Sequence, residues 1–122
     1  MTQIIQAIRA EVLGYKTVET WLSQSGTDAP TLNSTKNYAG IALTPVYVAP
    51  GRFEIETTGG FDHEKTMLFG CSLGNSALVN DGDGIVKYFI ESGKIIINTR
   101  DSFGALANDQ LAFAPLEIRI YP

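Results

Sequence analysis

Short segments that alternate apolar and polar residues with a period of two restrict this fold more than any other feature of the chain. The clearest segment is the last, 116–121, which has Leu116, Ile118 and Ile120 on one side and Glu117, Arg119 and Tyr121 on the other. Successive side chains of a strand point to opposite faces, so this segment predicts a strand with one buried face. Other strands are predicted over 15–22, 41–48, 52–57, 65–72, 85–91 and 94–99, and a short edge strand over 110–114 that Pro115 ends.

Turn residues separate these segments at intervals of roughly ten residues, as at Pro50-Gly51 and Ser92-Gly93. The polar stretch 24–37 is expected to be a loop that crosses between sheets or holds a short strand. Pro45 confines the 41–48 strand to an edge or a bulge. Strands do not alternate with helices. We therefore predict a mainly β fold, an antiparallel β-sandwich or jelly-roll-like single domain over residues 15–122.

Residues 1–14 follow a helical pattern instead. Ile5, Ile8 and Val12 are spaced by three and then four positions, and Gly14 is a natural stop. An amphipathic helix this short is marginal alone, so its apolar face needs a cover. The apolar face packs either on the domain's own sheet or on the same helix from other copies. In the second case, isoleucine at both Ile5 and Ile8 favours a coiled coil of three or more helices. The helix is thus predicted to serve docking or oligomerisation.

Composition argues against several classes of partner. The 122 residues carry nine basic and thirteen acidic side chains, with a net charge of −4, and the basic residues are scattered. Nucleic acid is therefore an unfavourable partner. No apolar stretch approaches the ~20 residues of a membrane span, so no membrane insertion is expected. The start lacks signal-peptide features, which predicts synthesis and assembly in the bacterial cytoplasm. The single cysteine, Cys71, is interpreted as a buried thiol.

Candidate catalytic and metal-binding residues are few. His63 lies between two acidic residues, but consecutive side chains on a strand diverge, which favours a solvated loop tip. Asp81 and Asp83 resemble the opening of a calcium loop, yet the glutamate expected at the twelfth position is missing, so a tight turn is favoured. Glu54 and Glu56 share one strand face with Arg52 and predict an outward polar face. We expect no enzyme activity and no cofactor, and Asp81 and Asp83 are only weak metal candidates.

Several aromatic residues are candidates for contact with a ligand or a partner. Trp21, Tyr47 and Tyr121 are the main ones, and Tyr88 is similar. Such side chains stack on sugar rings, bury against a neighbouring subunit, or simply pack in the core. Packing is the default interpretation, and the other two remain open.

Two segments resemble a known group of proteins. Residues 22–30, Leu-Ser-Gln-Ser-Gly-Thr-Asp-Ala-Pro, and residues 116–121, Leu-Glu-Ile-Arg-Ile-Tyr, are similar to an opening and an ending found in small structural proteins of phages and prophages, especially those of Bacteroidetes. Between them, 51–55, Gly60-Phe61 and 65–69 resemble that group's series of hairpins. The likeness spans residues 15 to 121, and it departs from the group at 32–35 and in the N-terminal helix.

The resemblance implies a component of the virion: a head fibre, a decoration protein or a tail-fibre module that contributes to host attachment. It implies a homotrimer that contacts other virion proteins. No catalytic motif accompanies it. The main alternative is a carbohydrate-binding module for a cell-surface glycan, and the second is a glycan hydrolase with a cleft around Glu54 and Glu56 or around His63.

Overall fold

The computed structural model describes residues 13–70 and 85–122, which form eight strands. Their bounds are β1 Lys16–Ser23, β2 Thr31–Asn37, β3 Thr44–Ala49, β4 Arg52–Glu56, β5 Thr66–Gly70, β6 Ile85–Glu91, β7 Lys94–Arg100 and β8 Ala114–Ile120. All pairs are antiparallel and make two four-stranded sheets. The first sheet has the order β2-β1-β8-β5, and the second has the order β3-β4-β7-β6. The prediction of a mainly β, antiparallel fold is confirmed.

The predicted N-terminal helix lies almost wholly outside the described residues, apart from its last two positions, Leu13 and Gly14. Its candidate interface residues Ile5, Ile8 and Val12 also lie outside them, so both the helix and its role stay predictions.

One hydrophobic core lies between the inner faces of the two sheets. The first sheet contributes Val18, Leu22, Leu116 and Ile118, and the second contributes Phe53, Ile55, Ile95 and Ile97. Each of these side chains is at most 2% exposed. Burying one such side chain is worth roughly 1.5–3 kcal/mol, so the alternating pattern of β8 translates directly into packing energy. The assignment of Leu116 and Ile118 to the buried face is confirmed.

The β6–β7 hairpin follows its sequence signals closely. Ser92 and Gly93 have φ angles of 52° and 75°, and a two-residue turn with both angles positive matches the twist of the flanking strands. The turn sets Ile90 opposite Ile95 and Glu91 opposite Lys94. Ile96 is 1% exposed although it points away from the shared core, so the prediction that the isoleucine run is buried on both sides is confirmed.

Two sequence interpretations need correction. The segment 24–37 is a loop only up to Pro30, because Thr31–Asn37 forms β2, the edge strand beside β1. The predicted edge strand over 110–114 is wrong: β8 begins at Ala114 and continues through Pro115, which pairs with Trp21. A proline is accepted in a strand where its missing N–H is not needed by the ladder. Leu116 pairs with Gly70, the last described residue of β5, so Pro115 lies one position beyond the described β5–β8 pairing.

A buried glutamine organises the loop between β1 and β2. Gln24 is 7% exposed, and its side-chain amide donates to the carbonyls of Gly26 at 2.8 Å and Asp28 at 3.2 Å. Its side-chain oxygen accepts from the backbone N–H of Asp109 at 2.9 Å, and the Asp109 carboxylate accepts from the N–H of Gly26 at 2.7 Å. Gln24 and Gly26 therefore attach the start of the loop between β1 and β2 to the segment that leads into β8.

Candidate functional site

The outer face of the first sheet carries a row of four side chains, one from each strand. Lys36 of β2 pairs with Glu19 of β1, Glu19 pairs with Glu117 of β8, and Glu117 pairs with Phe69 of β5. Neighbouring strands lie ~4.8 Å apart, so this row spans about 14 Å. Antiparallel pairing puts directly opposite residues on the same face, which is why residues so distant in sequence meet here.

A groove of about 490 Å³ follows this row, and we call it the Trp21 groove. Its apolar part is made by Trp21, Phe69 and Pro115, and its charged part by Glu19, Lys36 and Glu117. Trp21 is 45% exposed and Phe69 40% exposed. The Trp21 indole and the Phe69 ring are therefore partly exposed beside two carboxylates and an ammonium group. Apolar walls combined with a few charged groups are typical of binding surfaces.

Arg119 supports one side of the groove. Its guanidinium lies 4.1 Å from the centroid of the Phe69 ring and 4.8 Å from that of Tyr15, and it donates a hydrogen bond to Glu117. The hydrogen bond with Glu117 raises the pKa of Arg119 above its ordinary value, so this side chain stays charged. Tyr121 packs its ring on Tyr15, with centroids 5.1 Å apart. Arg119 therefore lies against the rings of Phe69 and Tyr15, and Tyr121 packs on Tyr15, on the same outer face.

The outer face of the second sheet has a different character. Lys94 Nζ lies 3.0 Å from a carboxylate oxygen of Glu56 and 3.5 Å from one of Glu54, and Arg52 pairs with Glu91 at 3.1 Å. The hydrogen bond with Glu56 and the charge of Glu54 raise the pKa of Lys94 above its ordinary value. The prediction of an outward polar face at Glu54 and Glu56 is confirmed, and both carboxylates are engaged by Lys94.

The other candidate residues are dispersed. The His63 side chain is 77% exposed and lies 4.0 Å from Glu64. Asp81 and Asp83 fall outside the described residues, as does Cys71. Within residues 13–70 and 85–122, no group of three or more histidine, cysteine or acidic side chains is placed to hold a metal ion.

The candidate contact aromatics divide between the two sides of the fold. Trp21 and Tyr121 lie on the outer face of the first sheet, where Trp21 lines the groove. Tyr47 packs against the core instead, with its ring centroid 5.8 Å from that of Phe53, and its hydroxyl accepts from Asn108 at 3.1 Å. Tyr88 also packs against the core. Packing, the default interpretation of these aromatic residues, is therefore confirmed for Tyr47, whose register opposite Phe53 turns it inward.

Two exposed aromatic side chains, Phe69 and Phe103, were not predictable as such from the sequence pattern. Alternation puts Met67 and Phe69 on the same face of the predicted 65–72 strand, but their spacing does not indicate that this face is the outer one, where they are 50% and 40% exposed. Phe103 is the most exposed large apolar residue among those described, at 94%. It lies between the turn residues Asp101-Ser102 and Gly104, and this position was the signal available in the sequence.

Comparison with protein-family models, curated proteins and solved structures yields no match for this chain. In the part of the chain that the structure describes, no helix has the length and apolar character needed to cross a membrane.

Proposed function

We propose that this chain is a non-catalytic structural protein of a phage virion, a head-fibre, decoration or tail-fibre module that assembles with copies of itself and with other virion proteins. The observation that carries the proposal is the outer face of the first sheet. Trp21, Met67 and Phe69 are 40–50% exposed there on a single face. Exposed apolar groups gathered on one face of a soluble domain are typical of protein interaction sites.

The virion assignment draws on the resemblance of residues 22–30 and 116–121. In the fold, residues 116–120 pair with residues 16–20 of β1, and Gln24, just after β1, bonds to Asp109 in the segment before β8. A jelly-roll-like sandwich that forms a homotrimer, with the N-terminal helix on the three-fold axis or docked on the particle, is the finer form of this proposal.

Proteomics of density-gradient-purified particles from the phage or prophage that encodes the chain tests this function. The chain should band with the particles at many copies per virion, and antibodies against it should label intact particles. A chain that stays in the soluble lysate while capsid and tail proteins band together would contradict the proposal.

A second candidate function is carbohydrate binding at a host surface. It is favoured by Trp21, whose exposed indole stands beside Glu19 and Lys36 in the groove. Aromatic faces stack on the apolar faces of sugar rings, while carboxylates and ammonium groups bind hydroxyls. A glycan array probed with the wild type and with Trp21→Ala tests it: specific signals should disappear with the variant, and an array without signals for the wild type would exclude it.

A further inference from the structure

The Trp21 groove holds two aromatic rings on different strands, and their separation limits what can touch both. Trp21 of β1 lies opposite Pro115 of β8, whereas Phe69 of β5 lies opposite Glu117 of β8. Trp21 and Phe69 are therefore two strands and two residues apart, which puts their Cα atoms about 12 Å from each other. One pyranose ring is shorter than this separation, so a saccharide that contacts both aromatic rings has two or more sugar units.

The Phe69 ring is held with one face open to a ligand. The Arg119 guanidinium covers the other face, 4.1 Å from the ring centroid. Arg119 pairs with Met67, so it approaches Phe69 from the side that is farther from Trp21. The open face of Phe69 is therefore turned toward the Trp21 side of the groove. A ring that the protein already holds in place loses little freedom when a ligand stacks on it.

The charged groups at the groove balance each other. Glu19 lies opposite Lys36 in the β1–β2 pairing, and Glu117 accepts a hydrogen bond from Arg119. Two carboxylates are thus matched by two cations, so the groove offers polar oxygens and nitrogens without a net charge. Such groups bind hydroxyls, whereas a charged ligand would meet one unfavourable charge for each favourable one.

We propose that the Trp21 groove binds an uncharged oligosaccharide of two or more units, which stacks on Trp21 and on the open face of Phe69. The charged side chains of the groove bind its hydroxyls. A sugar has apolar ring faces and polar edges, and exposed aromatic rings beside balanced charges match both. The inference rests on the second candidate function, carbohydrate binding, and gives that function its ligand class.

A glycan array tests the ligand class. It carries cello-, malto- and chito-oligosaccharides of increasing length, together with sialylated and uronic-acid glycans. The wild type should bind uncharged chains of two or more units and should bind neither the monosaccharides nor the acidic glycans. Signals from acidic glycans alone would overturn the uncharged ligand but leave carbohydrate binding in place. An array without any signal would overturn both.

Phe69 variants test the second ring by calorimetric titration with the oligosaccharide that gives the strongest array signal. Phe69→Leu keeps an apolar side chain but lacks a flat ring, so it should weaken binding about tenfold, whereas Phe69→Tyr should bind like the wild type. Phe103→Ala is the matched control, because Phe103 is 94% exposed and does not line the groove. Far-UV circular dichroism should show that all variants are folded. Full affinity in Phe69→Leu would overturn the two-ring contact, even where Trp21→Ala abolishes binding.

A second copy of the chain is the rival occupant of the groove, and native mass spectrometry distinguishes it from a sugar. The proposal expects Trp21→Ala to keep the mass of the wild-type assembly. An assembly that dissociates with Trp21→Ala, in a wild type that binds no sugar, would assign the groove to another copy and overturn the proposal. Virion proteomics is independent of all these outcomes, so this ligand and the proposed virion function fail separately.

Discussion

The guanidinium carbon of Arg119 lies 4.1 Å from the centroid of the Phe69 ring, on the outer face of the first sheet. The ring of Tyr15 lies 4.8 Å away from the same guanidinium. A planar, weakly hydrated cation suits this position, since its faces stack on aromatic rings while its edge donates to a carboxylate. In this way Phe69 is kept at the wall of the Trp21 groove by a charged residue of β8.

We therefore expect Arg119→Lys to be destabilising although it conserves the charge. A compact ammonium group on a flexible stem cannot reproduce the planar stack on Phe69 and the hydrogen bond to Glu117 together. The midpoint of urea unfolding should fall by a small, measurable amount. Arg52→Lys is the matched control, because the described partner of Arg52 is only the Glu91 carboxylate, which a lysine can also reach. Equal midpoints for the two variants would argue against a stabilising stack.

Gln24→Leu should destabilise the fold by about 2 kcal/mol, because it removes three part-buried hydrogen bonds worth roughly 0.5–1.5 kcal/mol each, and the freed backbone groups partly recruit water. The groups concerned are the N–H of Asp109 and the carbonyls of Gly26 and Asp28. Chemical denaturation monitored by Trp21 fluorescence measures the change. Ser25→Ala, at an exposed neighbour, should leave stability within experimental error. A Gln24→Leu variant as stable as the wild type would show that the loop is held by other contacts.

Much of the fold was predictable because the patterns that determine its strands and turns extend over only a few neighbouring residues. Alternation over 116–121 and the Ser92-Gly93 turn each determine a strand face or a register within a few residues. The role of Gln24 was not predictable, since its partner Asp109 lies 85 residues away and only the folded chain brings them together. The groove was missed for the same reason. Lys36, Glu19, Glu117 and Phe69 belong to four strands, and their alignment depends on sheet order, which alternation does not encode.

Gly51→Ala should be more destabilising than Gly59→Ala. Both glycines have positive φ, 71° and 80°, so both substitutions carry the left-handed backbone penalty of roughly 1–2 kcal/mol. A Cβ at Gly51 would also lie 2.5 Å from the backbone nitrogen of Ala107 and 2.5 Å from the carbonyl oxygen of Thr99, whereas a Cβ at Gly59 meets nothing within 4 Å. Thermal unfolding of the two variants in one buffer compares them. Equal melting temperatures would show that the loop bearing Ala107 moves away without cost.

The ion pairs of Lys94 predict a stability change at alkaline pH. The pKa of Lys94 is raised in the folded protein above its ordinary value of 10.5, first by the hydrogen bond with Glu56 and then by the charge of Glu54. Below pH 10.5 the amine is protonated in both the folded and unfolded states, so its contribution is fully present. As the pH rises further, the unfolded chain loses the proton first, and the contribution declines until the folded pKa is passed.

The difference in unfolding free energy between the wild type and Lys94→Gln isolates this contribution, because all other titrating groups are shared. It should be constant between about pH 8 and pH 10 and should shrink above pH 10.5. The Lys94 ammonium is partly exposed, so about 1 M salt should screen its attraction to the carboxylates and reduce the difference at every pH. A difference that stays constant above pH 10.5 and that salt leaves unchanged would mean that Lys94 stabilises the second sheet by packing its methylene chain and not by charge.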